Sequence, residues 1–173
     1  MIYNKKLSVV PITTHVNIKF VSKKLSKDLI IKKIKTLNEF YYKLFKKKPH
    51  IAVLGLNPHN DELRNNSEER KIILPSIKQL KKIKIKVSGP FPADTIFTNV
   101  KKYKCNIIVG MYHDQVLAPF KAIYKYNAIN ITLGLKYIRV SPDHGTAKDL
   151  VGKGVANSSS LEDSIKFIST LKI

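Results

Sequence analysis

Residues 107–121 read IIVGMYHDQVLAPFK, and this stretch decides the fold. Its first part, Ile107 to Met111, is an apolar run of strand length. Such a run suits a strand buried on both faces, as in a parallel sheet, better than a strand with one wet face. It ends in His113-Asp114, the expected exit of a buried strand onto a segment carrying function. Residues 51–56, IAVLGL, repeat the arrangement and end in Asn57-Pro58-His59. Leu7 to Ile12 does so again, ending in Thr13-Thr14-His15. Apolar runs that each lead to a histidine predict an α/β fold with a mostly parallel sheet, whose strand ends converge on a crevice.

Helical signals fill the intervals. From Lys24 to about Lys46, Leu25, Leu29, Ile30, Ile34, Leu37, Tyr41 and Leu44 recur in steps of three and four, one face of a long amphipathic helix. Ser26 or Ser22 caps its start, Pro49 lies beyond its end, and its lysine-rich face is read as solvent-facing. Ser67-Glu68-Glu69 reads as a second helix start, and Pro75 either delays or kinks that helix. Ile83 to Val87 reads as a short strand, and Ser88 to Asp94 as a turn that caps a helix at Asp94. Asn130 to Leu133 is β-rich, and a closing helix runs from about Leu161 to Leu171, capped within Ser158 to Ser160. No repeat or low-complexity linker interrupts residues 1–173, which are expected to form one α/β unit.

A chain of 173 residues with 43% hydrophobic content can bury one good core. No apolar run approaches the roughly twenty residues that span a bilayer, and no signal region precedes the first charges. The lone Cys105 has no intramolecular partner, so a reducing cytoplasm is the expected compartment. The formal charge of +20 raises nucleic acid as a partner. Yet only Arg64, Arg70 and Arg139 are arginines, and the lysines are spread along the chain without interleaved aromatics or a zinc-finger pattern. A solvated basic surface is the preferred reading.

Between Met111 and Gly154, successive segment ends deliver His113, Lys121, Asn130, Arg139 and His144. Histidine suits metal or proton work, and Lys and Arg suit an anionic substrate. If His15, His59 and His113 meet at the strand ends, they would hold a divalent metal and leave positions open for substrate. No helical i,i+4 histidine pair announces such a site, so a structural role stays open for each. His50 precedes a strand and is assigned no role.

TTH at 13–15, GLNPH at 55–59, SGPFPADT at 88–95, MYHDQ at 111–115, APFK at 118–121, NITLGL at 130–135 and SPDHGTA at 141–147 occur in the order that marks one family. The chain resembles the C-terminal half of the 4-hydroxythreonine-4-phosphate dehydrogenase family of pyridoxal phosphate (vitamin B6) biosynthesis. The resemblance implies the isocitrate/isopropylmalate dehydrogenase-like fold with its N-terminal half missing, including a Gly-His-Thr substrate segment. It implies NAD- (or NADP-) dependent oxidation and decarboxylation of 4-hydroxythreonine 4-phosphate to 3-amino-2-oxopropyl phosphate, assisted by zinc, magnesium or cobalt. It implies His15, His59 and His113 as metal ligands, and Lys121, Asn130 and Arg139 as substrate ligands. His144 and Asn157, within DHGTAKDLVGKGVAN at 143–157, would contact the dinucleotide, and Asp94 and Asp114 would orient ligands or assist proton transfer. A homodimer sharing its active sites is implied as well. After His59, where the family has a glycine-rich acidic loop, this chain has Asn60-Asp61-Glu62-Leu63-Arg64-Asn65-Asn66. A catalytically dead remnant that keeps fold and dimerisation, and a basic nucleic-acid-binding protein, are the competing expectations.

Overall fold

The structure, a computed structural model, describes residues 1–171. Its strands are β1 (Ile2–Tyr3), β2 (Ser8–Pro11), β3 (Ile51–Leu54), β4 (Val87–Phe91), β5 (Ile107–Gly110), β6 (Ile129–Thr132) and β7 (Arg139–Pro142). They form a seven-stranded sheet in the order β4-β3-β5-β2-β1-β6-β7. β2, β5, β3 and β4 pair in parallel, whereas β1 is antiparallel to β2 and β6, and β7 is antiparallel to β6. All strands but β1 and β7 therefore share one direction, and the sheet is mixed but mostly parallel.

Alternate residues of the central strands feed two cores. Val10, Val53, Ile107 and Val109 pack on one face, where α2 (Lys27–Phe45) supplies Ile30, Ile34 and Leu37 and α3 (Leu74–Lys82) supplies Ile77 and Leu80. Val9, Ala52, Leu54 and Ile108 pack on the other, against Val116, Leu117 and Phe120 of α6 (His113–Tyr124). Burial on both faces is what the unbroken apolar runs required. Short helices α1 (Val21–Lys24), α4 (Ala93–Ile96) and α5 (Val100–Tyr103) fill the connections, and α7 (Ser159–Thr170) lies against β7 and β6.

Local chemistry sets the boundaries. Ser26 rather than Ser22 caps α2, its Oγ accepting from the Leu29 amide at 3.1 Å, so the helix begins at Lys27 and not at Lys24. Ser67 accepts from the Arg70 amide at 3.2 Å. The segment Glu69–Ile73 then takes a widened turn in which Leu74 N–H donates to Glu69 C=O, so that Pro75, which has no N–H, enters without ending the helix.

Two expected boundaries move. The strand read at Ile83 to Val87 begins at Val87 and runs to Phe91, through residues read as a turn. β4 is an edge strand, where proline is tolerated, and its ladder with β3 slips between Ala52 and Leu54. Asp94 caps nothing, because α4 starts after Pro92 and Asp94 is an exposed residue of its first turn. In α7, Ser160 and Ser164 are the buried positions, while Leu161, Ile165 and Ile168 are 49%, 61% and 46% exposed. The small polar face turns inward because Ser160 Oγ both donates to Ala128 C=O and accepts from Asp143 N–H.

Candidate functional site

Three buried polar side chains tie the strand ends together. Thr13 Oγ1 donates to Met111 C=O at 2.7 Å, joining the exit of β2 to that of β5. Gln115 Oε1 accepts from Met111 N–H at 2.7 Å, and its Nε2 donates to Gly55 C=O at 2.7 Å, joining the exit of β5 to that of β3. The carboxylate of Glu69, which has 0% exposure, receives the amides of Leu56 and Asn57 at 2.7 Å each and the Asn57 side chain at 3.0 Å. The turn leading to His59 thus hangs on one buried anion. A buried carboxylate is tolerable only with such a full set of donors.

These ties bring His15 and His113 together. Their ring centroids lie 5.9 Å apart, and both rings border a cavity of about 800 Å³. His113 is the first residue of α6, and its Nδ1 bonds Asp114 Oδ1 at 2.7 Å, which fixes the ring and leaves Nε2 as its free nitrogen. Asn130 and Arg139 lie on the same cavity wall, with Arg139 Nη1 donating to Thr132 Oγ1 at 3.0 Å. The shared strand direction explains the gathering. The ends of β2, β5 and β6 and the starts of the reversed strands β1 and β7 all fall at one edge of the sheet.

His59 stands apart: it is exposed and absent from that cavity wall. Among the described residues, no three His, Cys, Asp or Glu side chains converge as a metal-holding group. The segment carrying it is left-handed, with φ of 51° at His59, 59° at Asn60, 45° at Asp61, 49° at Glu62 and 56° at Leu63. Asn and Asp accept that region, but Glu and Leu carry the full Cβ penalty of about 1–2 kcal/mol per residue. Leu63→Gly should therefore raise stability by about 0.5–1 kcal/mol, the glycine's flexibility in the unfolded chain offsetting part of the gain. A urea midpoint that falls on this substitution would refute the left-handed assignment.

The remaining expected site residues lie elsewhere. Lys121 Nζ is held by Asp143, 2.8 Å from its carbonyl oxygen and 3.2 Å from Oδ2, and does not border the cavity. His144 is exposed and Asn157 Oδ1 accepts from Ser159 N–H at 2.9 Å, so the second is engaged in starting α7. The loop between them is open, with Val151 77% and Val155 68% exposed and, among the described residues, no atom within 4 Å of where a Cβ on Gly145, Gly152 or Gly154 would lie. Lys32 and Lys33, read from the sequence as part of a solvent-facing basic surface, border the cavity. Burial lowers the Lys33 pKa. Burial, helped by the Lys33 charge and opposed by Asp143, also lowers the Met1 amine to about 5, and that amine donates to Ile131 C=O at 2.8 Å.

The model of the family described as "Pyridoxal phosphate biosynthetic protein PdxA" matches residues 1–168. The chain belongs to the PdxA family. The 4-hydroxythreonine-4-phosphate dehydrogenase of Sulfurihydrogenibium sp. (strain YO3AOP1) is 45% identical over 170 residues, covering 97% of this chain and 52% of that protein. A relative from Oceanobacillus iheyensis, provisionally named for D-threonate 4-phosphate, is 39% identical over 95% of this chain and 50% of its own length. The crystal structure of the Klebsiella pneumoniae 4-hydroxythreonine-4-phosphate dehydrogenase superposes with a TM-score of 0.82 at 37% identity, over 95% of this chain and 50% of that one. The sheet and its flanking helices are thus those of PdxA dehydrogenases, with the isocitrate/isopropylmalate dehydrogenase-like fold. The chain spans about half the length of the PdxA relatives it matches. Among the described residues no helix is long and apolar enough to cross a membrane.

Proposed function

We propose that this chain contributes the metal- and phosphate-binding part of an NAD- (or NADP-) dependent dehydrogenase acting on 4-hydroxythreonine 4-phosphate. The observation that carries the reading is the pair of adjacent imidazoles on a wall shared with Asn130 and Arg139. His15 and His113 fit two positions around a divalent cation such as zinc, magnesium or cobalt, and Asp114 would hold His113 in the ligating tautomer. The third imidazole is then His59 of the partner subunit in a homodimer, since His59 of the same chain lies apart.

A bound metal would polarise the substrate hydroxyl for hydride loss to the dinucleotide and stabilise the enolate left by decarboxylation. The chain's own residues supply orientation. Arg139 offers a planar two-point seat for phosphate, Asn130 an amide donor, and Lys121 a second cation once the anion draws it from Asp143. Asp94 is exposed and outside the cavity wall, so positioning falls to Asp114. The glycine-spaced loop with its exposed valines suits the adenine side of the dinucleotide, with His144 and Asn157 at its ends.

The test is NADH formation from 4-hydroxythreonine 4-phosphate with each metal added in turn, alongside metal content after dialysis. Stoichiometric metal with weak or absent turnover by the 173-residue chain is the expected result. A chain that binds neither metal nor substrate would overturn the reading in favour of a fold-retaining remnant. Tight, steeply salt-dependent nucleic-acid binding in its place would favour the basic-surface alternative.

A further inference from the structure

The cavity that joins His15 to Arg139 is bordered by Lys32, Lys33 and Arg139, and among the described residues no carboxylate stands on its wall. Lys32 is exposed, whereas Lys33 is half-buried and has no carboxylate partner among the described residues. A half-buried ammonium without a counter-charge is costly unless an anion completes it. Its place follows from the fold. The β6 end abuts α2, with Thr36 Cγ2 3.4 Å from a Cβ built on Gly134, and Lys33 sits one turn back along the helix. The Met1 amine, which feels the Lys33 charge, is itself bonded to Ile131 on β6. Lys33 therefore faces the strand that carries Asn130 and, through Thr132, holds Arg139.

We infer that Lys33 is a further anion-binding residue of this cavity, seating a phosphate monoester together with Arg139 and Asn130. The inference rests on the dehydrogenase reading for the identity of the substrate, but not for the site itself. A phosphate dianion is favoured over a carboxylate because Lys32, Lys33, Arg139 and an amide donor border one cavity that, among the described residues, has no carboxylate on its wall. Lys33 also supplies a cation on this wall while Asp143 engages Lys121.

The experiment titrates inorganic phosphate, and separately acetate, into the 173-residue chain at constant ionic strength, following heat or phosphorus NMR linewidth. Lys33→Met should weaken phosphate binding about tenfold or more, the usual loss for a charge-assisted contact. Lys33→Gln should do the same if Met disturbs folding, and Lys33→Arg should bind close to the parent. Lys35→Met, on the exposed face of the same helix, removes equal net charge and should leave binding unchanged. Parent-like binding by Lys33→Met, or equal weakening by Lys33→Met and Lys35→Met, would overturn the assignment. Acetate binding as tight as phosphate and equally dependent on Lys33 would overturn the choice of phosphate. Phosphate binding that depends on Lys33 in a chain holding neither metal nor dinucleotide would sink the dehydrogenase reading alone. A parent chain that ignores phosphate would overturn the Lys33 assignment and leave the dehydrogenase reading to its own metal and substrate tests.

Discussion

Glu69→Ala is expected to lower unfolding free energy by about 3 kcal/mol or more, a large share of the roughly 5–15 kcal/mol of an ordinary domain. The carboxylate is fully buried and takes two backbone amides and a side-chain amide. Truncation strands these donors, each at about 1–3 kcal/mol, and opens a cavity at the end of β3. Glu69→Gln should cost less, because one oxygen still serves Leu56 and Asn57, while its amide group faces the Asn57 side chain as donor against donor. Urea unfolding with an unchanged slope is the measurement. A loss below about 1 kcal/mol for the alanine variant would show that water replaces the carboxylate and that the turn does not hang on it.

His113→Ala should reduce metal in dialysed protein from stoichiometric to none, and His15→Ala should do the same. Asp114→Asn should weaken metal affinity about 10- to 100-fold, the usual effect of losing a histidine's orienting carboxylate. His59→Ala should also lose metal, although His59 lies apart from the pair in a single chain. Mixing His113→Ala and His59→Ala chains discriminates the shared site from a site within one chain. A mixed dimer holds one intact set, with His15 and His113 from one subunit and His59 from the other, so metal should partly return. Unchanged metal in His113→Ala would sink the site. Tight metal in a strictly monomeric protein would sink its sharing between subunits.

The sheet was legible because its central strands are buried on both faces, and Ile51–Leu54 and Ile107–Gly110 leave no polar residue to confuse the period. Edges and hairpins were harder. β4 hides within Ser88-Gly89-Pro90, whose composition signals a turn, and the antiparallel β6–β7 pair has no short turn motif to announce it. In the site, Asn130, Arg139, His15 and His113 converge because strand direction is a property of the fold class, which patterning reveals. Lys33 escaped notice because a lysine on an amphipathic helix looks alike whether it faces bulk water or a cavity. Glu69 and Gln115 escaped for another reason. Their roles depend on backbone amides and carbonyls distant in sequence, and only the Gln within MYHDQ gave any local hint. The separation of His59 depends on a left-handed turn for which the sequence offers no glycine.

The Gln115 bridge between Met111 and Gly55 bears on any attempt to engineer this scaffold. A chimera that replaces the segment after His59 with a glycine-bearing one would change the backbone within a few residues of Gly55, where the Gln115 amide is anchored. The graft succeeds only if donor and recipient agree on the height of that carbonyl, because the same side chain sets the Met111 amide two residues before His113. Segment exchange at residues 60–66 is therefore a transplant of three pieces: the segment itself, its Glu69 anchor and the Gln115 span.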